Sequence, residues 1–137
     1  MLDDAMANLT SITVPVRVRY PECDGMGIAH HSVYPVWFEI ARTELLRQAG
    51  PSYADLERSG LFIVVARLSL SFRKPARYDD ELEVTATLTA SAGAKLEHRY
   101  EVTRDGELLC TGKTTLACVN EAGRPVRVPE PLQLPVG

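Results

Sequence analysis

A lone carboxylate, Asp24, sits in the run Tyr20-Pro-Glu-Cys-Asp24-Gly-Met-Gly27-Ile-Ala-His30-His31-Ser32, a glycine-punctuated loop that stops where a long amphipathic helix should begin. Backbone N–H groups in the first turn of a helix are unpaired and carry partial positive charge. Such groups can hold the oxygen of an acyl group while a facing carboxylate acts on its carbon. The combination suits attack on a polarised carbonyl. Asp24 would act as nucleophile or as general base on water, and the residues alone leave both routes open. Gly27 lets the loop turn back on itself. The bland alternative for Asp24 is a turn aspartate in Asp-Gly.

Other chemistries fit less well. His30 and His31 with Cys23 and Asp24 make a poor metal set, because adjacent side chains rarely converge on one ion and no ligand spacing occurs elsewhere; no metal is expected. Cys23 precedes Asp24 directly, so in an extended loop the two point apart, against a cysteine nucleophile assisted by a histidine. Tyr34, Trp37 and Phe38 could line an acyl pocket, although their helical spacing equally describes core. Glu39 could be a second carboxylate at the site, an i,i+3 partner of Arg42, or a partner across a dimer.

The elements around this loop follow from periodicity. Val14, Val16 and Val18 alternate with polar positions and predict a first strand over Thr13 to Tyr20. Tyr34, Trp37, Phe38, Ala41, Leu45 and Ala49 recur at helical spacing, widened by Ile40 and Leu46, and predict a helix from Val33 to Ala49. Ser32 is its expected N-cap, Pro35 falls in the tolerant first turn, and Gly50-Pro51 stops it. A short helical turn is expected from Ser52 to Arg58, with a Ser52/Asp55 capping box and Gly60 at its end. Four strands should follow: Phe62–Phe72, Leu82–Ala90, Leu96–Val102 and about Leu108–Asn120. Turns are expected at Ala92-Gly93 and, as a hairpin, at Asp105-Gly106. One long helix must then cover an antiparallel sheet, an α+β architecture. Residues 1–12 read as a loose arm. Residues 124–137, with Pro125, Pro129, Pro131 and Pro135, read as an extended surface tail.

Composition bounds the rest. A chain of 137 residues, 45% hydrophobic and 24% charged, suits one globular domain spanning residues 1–137 without disulfides. A formal charge of −3 argues against a general nucleic-acid partner. Asp3 and Asp4 and the absence of an early apolar run argue against a secretory signal, and no stretch reaches the length of a membrane span. Three cysteines without a CxxC pair suit reduced thiols, so a cytoplasmic location is expected.

The run Arg19-Tyr20 through Tyr34, continuing into Trp37-Phe-Glu39-Ile-Ala41-Arg42, closely resembles the hotdog-fold acyl-CoA thioesterases of the 4-hydroxybenzoyl-CoA thioesterase type. A second stretch, Phe72-Arg-Lys-Pro75-Ala76-Arg-Tyr78-Asp79-Asp80-Glu-Leu-Glu-Val84, resembles the strand-turn-strand segment of the same family, and the likeness covers roughly residues 13 to 129. The resemblance implies a five-stranded antiparallel sheet wrapped around a central helix. It implies hydrolysis of an acyl-CoA thioester to a carboxylic acid and free coenzyme A, with no cofactor. Asp24 maps onto the family's catalytic carboxylate and the backbone N–H of His31 onto the donor that grips the thioester oxygen; the His31 side chain maps onto a position some relatives use for water or substrate. A homodimer joined through sheet edges, paired again into a homotetramer, is implied as well, and an exposed edge strand motivates it independently. Coenzyme A carries phosphates, so the basic clusters Arg73, Lys74 and Arg77, or Arg124 and Arg127, could hold its nucleotide. Two rivals share the fold: a dehydratase or hydratase on acyl thioesters, which would need a histidine to move protons, and a non-catalytic acyl-CoA-binding module.

Overall fold

Four of the five strands alternate buried or half-buried side chains with more exposed ones, and the long helix covers that face together with the tail. The computed structural model describes residues 10–50 and 52–133. Strands β1 (Ser11–Arg17), β2 (Phe62–Phe72), β3 (Glu81–Ala92), β4 (Lys95–Arg104) and β5 (Glu107–Val119) form one antiparallel sheet in the order β1-β3-β4-β5-β2. Helix α1 (Tyr34–Ala49) lies on one face and α2 (Tyr53–Arg58) follows it. The expected one-helix, five-stranded architecture is the observed one.

Alternation does the sorting. In β3 the buried Leu82, Val84 and Ala86 face α1, and in β4 the buried Leu96, His98, Tyr100 and Val102 do the same. From α1, Trp37, Phe38 and Ala41 are fully buried against them. Phe38 stacks on Tyr100 at 4.4 Å between ring centres. It also lies against Gly112, where an added Cβ would come within 2.3 Å of Phe38 Cε2. No side chain larger than hydrogen fits there without moving the ring.

Backbone signals in the sequence take the conformations they predict. Asp105 and Gly106 both have positive φ (50° and 80°), as the two-residue hairpin requires. Ser52 and Asp55 form their reciprocal capping box, Gly60 follows with φ +87°, and the Gly50 N–H closes α1 on Leu46 O.

Several boundaries differ from expectation. Strand β1 begins at Ser11, inside the expected arm, and ends at Arg17; Tyr20–Glu22 forms a 3-10 turn, which Pro21 favours. The β3–β4 turn is at Gly93-Ala94, one residue later than expected. The helix is entered through a 3-10 turn, His31–Val33, whose cap is His30 rather than Ser32: the His30 Nδ1 accepts the Ser32 N–H at 3.2 Å. The tail is extended through Val128 but does more than skirt the surface. Val128 and Leu132 are buried beside Leu46, Leu96 and Leu116, and the Val128 N–H donates to Gly93 O. Residues 1–9 of the expected arm, Pro51, the Ala49 side chain and residues 134–137 lie outside the described residues. No described helix is long and apolar enough to cross a membrane.

The largest surprise is β2. Its residues Val64, Val65 and Leu68 are exposed, because the strand stands at a free edge and is bulged between Val65 and Arg67.

Candidate active site

The loop carrying Asp24 is held from three sides. Its own turn closes with Gly27 N donating to Asp24 O and Asp24 N to Ile28 O, and Gly27 sits at φ +77°, a conformation that favours glycine. The segment 76–78 pins it, through Ala29 N to Ala76 O and Tyr78 N to Gly27 O. That segment is the second motif of the sequence, so the two motifs meet here. The third tether is Glu22, which the sequence reading did not single out. The residue is only 7% exposed. Oε1 accepts the Arg19 N–H at 2.7 Å and Oε2 accepts the Trp37 indole N–H at 3.2 Å, tying the loop to α1. The one sequence clue was a helix tryptophan whose N–H needs an acceptor once buried.

Within that frame Asp24, His30, His31 and Tyr34 line one open cleft of about 350 Å³ with Phe72 and Lys74. Asp24 is exposed, its Oδ1 accepts the Met26 N–H at 2.8 Å, and its Oδ2 has no partner among the described residues. The His31 N–H, at the first position of the 3-10 turn, likewise has no partner among the described residues. Asp24 and His31 therefore border the same cleft, at the entry to α1. The His30 and His31 rings lie 4.1 Å apart. Tyr34 is buried edge-on against Trp37 and Phe72, and burial pushes its phenol up.

The remaining candidates separate. Trp37 and Phe38 are core, not cleft lining. Glu39 is exposed, stands 3.9 Å from Arg42 and does not line the cleft of the single chain. Lys74 is at the cleft rim, with Nζ bound to Glu107 at 2.5 Å. Arg77 does not line the cleft; Arg73 does. Arg104, unremarked in the sequence, braces the 73–80 turn through Asp80 (2.7 Å) and Glu107 (3.1 Å). Hydrogen bonds from Lys74 and then Arg104 hold the Glu107 carboxyl low. At Asp80 burial pulls upward, but hydrogen bonds from Arg77 N and Arg104 outweigh it and hold that carboxyl low too. Partial burial, then Glu22 and Asp24, raise the Cys23 thiol, which disfavours its thiolate. His98 is in the core and no part of the cleft. Among the described residues no group of three His, Cys, Asp or Glu could hold a metal.

The chain matches the model of the Thioesterase-like superfamily over residues 18–135. It is 32% identical over 114 residues to the acyl-CoA thioester hydrolase YbgC of Escherichia coli, covering 82% of this chain and 85% of that one. Its fold superposes on a DHNA-CoA thioesterase from Staphylococcus aureus with a TM-score of 0.82 at 32% identity, over 85% of this chain and 80% of that one. A 4-hydroxybenzoyl-CoA thioesterase bound to 4-hydroxybenzoyl-CoA shares the fold alone, with a TM-score of 0.81 at 21% identity over 88% and 94% of the two chains.

Proposed function

The chain belongs to the thioesterase-like superfamily, and we propose that it hydrolyses an acyl-CoA thioester with Asp24 and the His31 N–H as its working groups. The observation that carries this reading is the shared cleft, lined by Asp24, with one carboxylate oxygen unpartnered among the described residues, and by His31, whose helix-start N–H is likewise unpartnered among them. The thioester oxygen accepts from His31 N–H, which stabilises the charge that develops there during attack. Asp24 either attacks the carbon, expelling the thiolate to leave a mixed anhydride that water then cleaves, or takes a proton from the attacking water. In both routes one water is consumed, and one acid and one thiol are released. The chemistry draws on no metal or redox cofactor. Arg73 and Arg77 are the basic groups nearest in sequence to the cleft segment that form no ion pair among the described residues; with Lys74, they are proposed to meet the phosphates of coenzyme A.

Thiol release from a panel of acyl-CoAs tests the reading. Asp24→Asn should lower kcat/KM by about 10²-fold or more with an unchanged melting temperature. Equal turnover by the two proteins removes Asp24 from the mechanism. Label from ¹⁸O-water found in the Asp24 carboxylate after a single turnover would identify the anhydride route, with water attacking the Asp24 carbonyl carbon.

We also propose assembly through β2. Its exposed Val64, Val65 and Leu68 lie on an unpaired edge, and such edges pair with other strands.

A further inference from the structure

A second cavity, about 50 Å³, lies at the other end of α1. Leu45 of the helix and Leu88, Leu96 and Leu116 of the sheet form its apolar wall, and the tail contributes Leu132. Two polar groups break that wall. Arg42 is 7% exposed, yet its Nε and Nη1 donate only to the Tyr53 and Tyr100 hydroxyls, at 3.2 and 3.0 Å. The sole carboxylate within 4.0 Å among the described residues is Glu39, at 3.9 Å on an exposed side chain. Among the described residues this buried guanidinium, held by neutral phenols, has no buried counter-charge. His98, also 7% exposed, carries the one buried side-chain polar atom without a hydrogen-bond partner among the described residues, Nδ1. Orphans of this kind call for an unseen partner.

The cavity is not an extension of the Asp24 cleft. Arg42 stands eight residues past Tyr34, about 12 Å along the helix axis. The Phe38–Tyr100 stack and the fully buried Trp37 and Ala41 fill the core at that level of the helix. The volume exceeds the roughly 10–15 Å³ that one water needs, but restricts any organic occupant to a short chain. Water would satisfy His98 and leave the charge of Arg42 unopposed, while a hydrated inorganic anion would waste the leucine wall. We propose that this cavity binds a short aliphatic carboxylate, its charged end accepting from Arg42 and from an Nδ1–H of His98 and its chain among Leu88, Leu96 and Leu116. The site goes beyond the proposed hydrolysis and needs neither Asp24 nor His31.

Sodium butyrate titrated into the wild-type protein tests this, with sodium chloride at equal ionic strength as control. The readouts are the His98 ring signals in ¹³C-histidine-labelled protein and the melting temperature. Butyrate should shift the His98 signals saturably and raise the melting temperature, acetate should act more weakly, and chloride should do neither. Leu116→Phe, which fills the cavity, should weaken butyrate by about tenfold or more, whereas Asp24→Asn should leave its binding unchanged. Leu88→Phe serves if Leu116→Phe does not fold. Unmoved His98 signals, an equal effect of chloride, or cavity-filling variants that respond like wild type would overturn the proposal. A protein that binds butyrate but releases no thiol fails the hydrolysis reading alone.

Discussion

At the scale of single residues, Glu22 ties the loop that carries Asp24 to α1, because its buried carboxylate accepts the Trp37 indole N–H. Charge-assisted buried hydrogen bonds contribute about 1.5–3 kcal/mol each. Glu22→Ala should therefore lower unfolding free energy by roughly that amount and depress kcat/KM as the Asp24 loop loosens. Trp37→Phe should lose stability too, and urea titrations of the double variant should show less than the sum, with about 1 kcal/mol or more of coupling. Strict additivity would mean that the indole and the carboxylate do not act together. His98 makes a second prediction. Burial, then the charge of Arg42, lowers its pKa from 6.5 to about 4. The unfolded chain therefore binds a proton that the native state refuses between those values. Stability should rise with pH across that window, and the penalty should be complete below pH 4, at about 3 kcal/mol. His98→Leu should flatten this part of the curve; an unchanged slope would assign it to other groups.

At the scale of elements, alternation located β1 to β4, Thr and β-branched residues β5, helical spacing α1 and a capping box α2, although the edge strand β2 buries neither face. What escaped was chemistry outside the usual patterns. An imidazole caps the turn that leads into α1, and the familiar capping residues, Ser, Thr, Asp and Asn, point to Ser32 instead. Trp37 and Phe38 share a helical face with Tyr34, and periodicity cannot say which of the three reaches a cleft. Only the packed sheet decides, and it decides through Gly112. A methyl group there would meet Phe38 at 2.3 Å. Gly112→Ala should cost about 1–3 kcal/mol, and pairing it with Phe38→Leu should recover part of the loss. Denaturation midpoints of the two single variants and the double variant check this; a neutral Gly112→Ala would show that the ring moves freely.

At the scale of the molecule the two sheet edges differ. The β1 edge carries Pro15, and its Arg17 is engaged by Asp79 and Glu81, features that blunt strand pairing. The β2 edge runs eleven residues with Arg67 as its only charge and leaves Val64, Val65 and Leu68 exposed. An apolar strand of that length predicts core when read as sequence, since nothing local says the strand is last in the sheet. Phe72 ends the same strand, is 51% exposed and lines the Asp24 cleft. Pairing through β2 would thus place a second chain beside the cleft mouth and couple assembly to catalysis. Light scattering should give twice the 15.1 kDa of one chain, or a multiple of that pair. Leu68→Glu, on a side chain already exposed in the single chain, should leave folding nearly untouched. It should nonetheless halve the mass at low concentration and lower kcat/KM, with activity returning as protein concentration rises. A Leu68→Glu protein with wild-type mass and wild-type activity would confine the site to one chain and leave the apolar edge without a catalytic role.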